Sequence, residues 1–161
     1  SDPSGGARHV AAQFAHELPL HAGVVNSPVV RAGCMPGFSA FGSARSLCKL
    51  LAAAAGGSLL PAEALRGDGG DHATQPSVLF GPQKWALGLQ HYACRGGREP
   101  YMLGLHSSGG SIAYLCPRSQ VSVAILLNDC QLEYSATRRT LGLISQELKL
   151  GLLDFLEGGL F

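Results

Sequence analysis

Charge is scarce in this sequence. Asp, Glu, Lys and Arg make up 14% of the 161 residues, against 46% apolar residues. That balance excludes a chain held open by its own charge and fits a packed core. The formal net charge is only +1. The basic footprint that nucleic acid or an anionic membrane selects is therefore missing. Arg138-Arg139 is the one adjacent basic pair, and it reads as a solvated helix face. No run of ~18 apolar residues occurs, so no helix of transmembrane character is expected. Neither G-x-G-x-x-G nor G-x-x-x-x-G-K-[ST] is present, which removes the phosphate-cradling loops of nucleotide sites.

Paired cysteine motifs are also missing. The five cysteines (Cys34, Cys48, Cys94, Cys116 and Cys130) are odd in number and form no C-x-x-C. Neither a closed disulfide framework nor a zinc knuckle is therefore expected, and most of the thiols read as small buried hydrophobes. They lean toward a reducing intracellular compartment. His9, His16 and His21 have no carboxylate cluster beside them, so no metal and no other cofactor is expected. A Cys-His nucleophilic pair has no support in the spacing.

What is present reads as helices followed by strands. Residues 1–6 are polar and glycine-rich, unlike a signal peptide. Residues 1–23 read as a linker or the remnant of an upstream helical lobe, with a short helix over about 7–17. Residues 18–38 read as irregular, broken by Pro19, Pro28 and Pro36. Ser43 is placed to cap a helix over about 44–55, with Leu47, Leu50, Leu51 and Ala54 on one face and Gly56-Gly57 as its stop. Pro61 opens a further helical turn, PAEALR. Residues 67–83, rich in glycine, read as a long surface loop.

The pattern changes at Lys84. KWALGLQHYA reads as one strand, followed at short intervals by strands over 101–106, 111–115 and 120–127. The links are too short for helical crossovers, so the pairing is antiparallel. VAILL is continuously apolar, as in a strand covered on both faces. A helix over about 134–149 follows, with Leu141, Ile144, Leu148 and Leu152 as its stripe. The fold class is α+β, an antiparallel sheet of about four strands flanked by helices.

Two stretches carry chemical interest. Ser46-Leu47-Cys48-Lys49 matches S-x-x-K, in which a lysine one helical turn from a serine takes its proton. On a wheel of ~100° per residue, however, Ser46 and Lys49 fall off the leucine face and toward solvent. A catalytic lysine needs a partly desolvated site. His106-Ser107-Ser108-Gly109-Gly110-Ser111 lies between two strands. Its small residues let a ligand or another backbone approach closely, and its N–H and hydroxyl groups suit an anion. The bland alternative is a glycine hairpin with a polar tip.

Residues 26–60 (NSPVVRAGCMPGFSAFGSARSLCKLLAAAAGGSLL) and 84–128 (KWALGLQHY, YMLGLHSSGGSIAYLCP, QVSVAILLN) together resemble the serine β-lactamase-like, penicillin-recognising hydrolases. The likeness is to the class C and esterase-like group, in its "SAR-x-LA" helix, its "FGH-x-G-x-GGS" hairpin and its final strand ending in Asn. It spans about residues 24–150, and residues 24–161 are taken as the C-terminal part of such a domain. The resemblance implies an acyl-serine mechanism on a small-molecule ester or amide, with backbone N–H groups holding the oxyanion. The family's S-x-x-K and Y-x-N motifs lie upstream of the matched segments. No catalytic residue is therefore expected here, and the missing N-terminal half of the domain is the implied partner.

The substrate-lining H-x-G corresponds to His106-Ser107-Ser108 with one residue deleted, or to Leu105-His106-Ser107 without a gap. His106, Ser107, Ser108 and the strand-end Asn128 are the substrate-binding candidates. In both registers a serine stands where the family has glycine. That favours a second reading, a degenerate binding or interaction module that keeps the fold without the chemistry.

Overall fold

The computed structural model describes residues 22–33, 40–59, 61, 73–77, 81–86, 88–107, 109–128 and 134–153. The expected helix over 7–17, the body of the PAEALR turn, and Cys34, Cys130 and Ser108 lie outside them. The chain forms two compact units, Ser1–Gly42 with Pro76–Gly81 and Ser43–Gln75 with Pro82–Phe161.

In the first unit, part of the stretch expected to be irregular is helical. Short helices α1 (Ala22–Val25) and α2 (Pro28–Ala32) occupy it. Pro28 starts α2 rather than breaking it, because a proline at the first helical position loses no hydrogen bond. Ser27 caps the helix, accepting from Val30 N–H at 3.3 Å.

The second unit opens with α3 (Ala44–Ala55), with the expected bounds. Ser43 and Ser46 form a reciprocal capping box, and Gly56 ends the helix. The buried face differs in one residue from expectation. Leu51 and Ala54 are buried, whereas Leu50 is 56% exposed. Cys48 takes the place expected of Leu50, its thiol meeting Ser122 O at 3.7 Å.

The fold is α+β and the sheet antiparallel in every pair whose register is described; among the described residues it has seven strands rather than about four. They are β1 (Ala73–Ser77), β2 (Gly81–Ala86), β3 (Leu89–Arg95), β4 (Tyr101–His106), β5 (Ile112–Cys116), β6 (Val121–Ile125) and β7 (Leu152–Leu153). The order is β1-β2-β3-β4-β5-β6, with β7 on β3. Two expectations are corrected. The supposed loop 67–83 contains β1 and the start of β2. Its proline, Pro76, is tolerated because β1 ends the strand path, where a missing N–H disrupts no central ladder. The single strand KWALGLQHYA is a hairpin. Gly88, at φ +76, turns the chain so that Ala86 pairs with Leu89.

Period-two alternation gives the sheet two apolar faces. Leu103 and Leu115 pack with Leu51 of α3 on one. Met102, Tyr114, Cys116 and Val123 pack with Tyr134 and Leu141 on the other, under helix α4 (Ser135–Leu148). Of the expected α4 stripe, Leu141 is buried and Ile144 half-buried, but Leu148 is exposed and Leu152 belongs to β7. The helix ends sooner than the stripe because Lys149, at φ 56, turns out of helical geometry and Leu150 N–H bonds to Ser145 O at 3.0 Å. Among the described residues no helix is long and apolar enough to cross a membrane.

Gly104 explains how closely β4 and β5 approach. A Cβ there would fall well under 3 Å from Ala113 O and the Tyr114 backbone. Glu99 is buried, and it fastens the β5–β6 turn. Its carboxylate accepts from Ser119 N–H at 2.6 Å and Arg118 N–H at 3.2 Å. A buried carboxylate is tolerated when backbone donors take the place of its hydration.

Candidate functional site at the β4–β5 hairpin

The alternation that buries Met102 under α4 places His106, four residues on, on the same face. Its ring lies against Tyr134 at 6.0 Å between centroids and against Tyr92 at 5.8 Å. Strand register brings the partners. Gln90 pairs with Gly104 and Tyr92 with Met102, so both strand-β3 side chains stand on the α4 face beside the histidine. Tyr92 Oη donates to Gln90 Oε1 and lies 2.7 Å from His106 Nδ1. A phenol has one proton. With it directed at Gln90, Nδ1 carries the imidazole hydrogen and donates it to Tyr92, leaving the lone pair on Nε2.

Burial fixes the charge states. Desolvation lowers the His106 pKa below its ordinary value, so the imidazole is neutral at pH 7. The Tyr92 phenol is pushed far up, first by desolvation and next by neighbouring Tyr134, with a hydrogen bond from the His106 backbone opposing. Burial does the same to Tyr114. The cluster is a set of neutral hydrogen-bonded groups without a formal charge.

The hairpin tip is bound into the fold. Ser107 N–H donates to Ser111 O at 2.9 Å, and Gly110 N–H to Ser107 O at 3.1 Å, with Gly110 at φ +86. Tyr134 Oη donates to the Ser107 carbonyl and Thr137 Oγ1 to the Gly110 carbonyl, tying the tip to α4. Gly109 and Gly110 are buried. Ser111 Oγ accepts from Leu127 N–H at 2.9 Å, which holds the segment after β6 against the tip.

Of the candidate residues, His106 is half-buried and faces α4, Ser107 is exposed at the tip, and Asn128 is exposed on a bend next to Leu127. The three lie at one end of the sheet, where His106 and Ile125 both pair with Ile112. Ser108 lies outside the described residues. Gln90, Tyr92, Tyr134 and Thr137 were not anticipated. Their sequence separations carry no motif, and only strand register and the packing of α4 unite them.

The S-x-x-K stretch has a structural occupation. Ser46 Oγ donates to Ser43 O at 2.8 Å and accepts from Ser43 N–H at 2.8 Å, at the exposed start of α3. Lys49 is exposed. The Cys116 thiol is buried and pushed up to about 12, chiefly by desolvation and then by Glu99, so it stays protonated. Among the described residues no group of three or more His, Cys, Asp or Glu is placed to hold a metal. His91 stacks on Tyr101 at 4.5 Å, on the α3 side of the sheet.

No family model matches the chain, and neither does any curated protein or solved structure.

Proposed function

We propose that this chain is the sheet-bearing, C-terminal part of a β-lactamase-related serine hydrolase. In this reading the whole protein cleaves a small ester or amide through an acyl-serine. The nucleophile comes from outside this chain, and the end of the sheet bearing His106, Ser107 and Asn128 faces the substrate. One observation carries it. Three of the four candidates that the sequence pattern selects, His106 and Ser107 at the end of β4 and Asn128 beyond β6, gather at one end of the sheet. The Leu127–Ser111 hydrogen bond holds the Asn128 bend against the hairpin.

A specific observation favours a second reading, a binding module without chemistry. Both tip carbonyls accept hydrogen bonds from α4, and His106 is turned into the α4 face as a neutral ring. A hairpin committed to packing in this way has fewer groups to offer a substrate.

One experiment separates the two. The longest natural chain containing this segment is incubated with a fluorescent penicillin and a fluorophosphonate, and its intact mass is read with and without Ser46→Ala. Labelling that survives the substitution supports the hydrolase with its nucleophile elsewhere. Labelling lost with it moves the nucleophile to Ser46 and refutes the placement. No labelling by either probe favours the binding module.

A further inference from the structure

The basic pair at Arg138-Arg139 belongs to a groove. A recess of about 790 Å³ runs between α4 and the ends of β3 and β7, lined by Arg95, Arg138, Arg139 and Lys149 together with Leu143 and Leu152. None of its lining residues is a carboxylate. Arg138 and Gly142 stand one turn apart on α4, and Lys149 follows at the helix's C-terminal cap. The two leucines are 64% and 39% exposed. Four cations beside two uncovered leucines suit a ligand that is anionic at one end and apolar at the other.

The glycines divide into two kinds. Gly97 and Gly151 are required by the fold. Each has positive φ, and a Cβ on either would run into the backbone of the other segment at well under 3 Å. Gly142 is different. It sits inside a helix, where glycine costs about 1 kcal/mol relative to alanine. A Cβ there would meet nothing within 4 Å. Packing does not demand it, and its effect is to keep the wall of the groove open.

We propose that this groove binds an anionic amphiphile, a single apolar chain ending in a phosphate or carboxylate. The head group lies among the arginines and Lys149, and the stem lies along Leu143 and Leu152 across Gly142. The volume is that of a small-molecule site. The inference does not depend on the hydrolase reading, since no residue of the hairpin takes part.

The test uses the full chain and three probes: monomeric dodecyl phosphate, inorganic phosphate, and phosphatidylcholine vesicles with and without phosphatidic acid. Calorimetry reads the first two, and co-sedimentation reads the vesicles. Dodecyl phosphate is expected to bind one to one. Affinity should fall tenfold or more in Arg138→Glu/Arg139→Glu and also in Gly142→Phe, which fills the groove from a position with open space around it. Gly142→Ala serves as the folded control. Vesicle binding that needs phosphatidic acid and shows the same two sensitivities assigns the head group to a lipid. Binding of the monomer alone assigns it to a free amphiphile. Equal affinity for inorganic phosphate, no binding by any probe, or binding indifferent to both substitutions overturns the proposal.

Discussion

Two tyrosines under α4 should respond in opposite directions to the loss of one oxygen. Tyr114 is fully buried, and its hydroxyl has no hydrogen-bond partner among the described residues. The groups nearest in charge are the thiols of Cys116, Cys94 and Cys48, which raise its pKa after desolvation has done so. Thiols are weak partners. A buried hydroxyl left unpaired costs about 1–3 kcal/mol relative to its hydrated state. Tyr114→Phe removes that cost and keeps the ring, so it is expected to stabilise the fold by about 1 kcal/mol. For a domain of this size that is a rise of roughly 2–4 °C in Tm.

Tyr134 is as deeply buried, but its hydroxyl donates to Ser107 O. Tyr134→Phe loses that bond and leaves the Ser107 carbonyl only the one from Gly110 N–H, at a cost of about 1 kcal/mol. Guanidinium unfolding gives both values. It can be followed through Trp85, the sole tryptophan, which pairs with Gln90 in the sheet. The slope with denaturant should stay unchanged, so that a shifted midpoint reports stability alone. If Tyr114→Phe lowered stability as much as Tyr134→Phe does, the Tyr114 hydroxyl would have a partner and the reasoning would fail.

Two other perturbations test the hairpin. Gly104→Ala would drive a Cβ into the β5 backbone, which cannot yield as a flexible side chain does. A loss of about 3 kcal/mol is expected by chemical denaturation, and a change within about 0.5 kcal/mol would contradict the strand approach. His106 should make the fold acid-sensitive. Its folded pKa lies below the ordinary 6.5, so as pH falls below 6.5 the unfolded chain takes up the proton first. Stability then declines until the folded pKa is passed, and above 6.5 the histidine contributes no slope. Unfolding midpoints between about pH 5 and pH 7 should therefore depend on pH less steeply in His106→Gln than in the parent chain. Equal slopes would mean that the ring is not desolvated.

Legibility in the sequence followed the range of the interactions. Helix α3 was readable to the residue because its determinants are local: Ser43 caps it, Ser46 closes the box and Gly56 ends it. Strands β4, β5 and β6 are readable to within a residue or two because each is a short apolar run bounded by turn residues. Strand β1 was not, since Pro76 and the glycines around it read as a loop. The turn at Gly88 was hidden because an apolar pattern ran straight through it. Only its left-handed φ distinguishes a hairpin from one long strand.

The hairpin is the instructive case. Its sequence, His106 through Ser111, fits both a site and a turn, and the same residues serve either. Gly109 and Gly110 are buried, Gly110 has positive φ, and both tip carbonyls are hydrogen-bonded to α4. Close packing under a helix therefore suffices to explain the glycine pair, with no ligand required. The partners that decide the matter, Gln90, Tyr92, Tyr134 and Thr137, arrive through register and helix placement, which no local spacing encodes. A glycine-serine hairpin is thus stronger grounds for a fold than for a reaction.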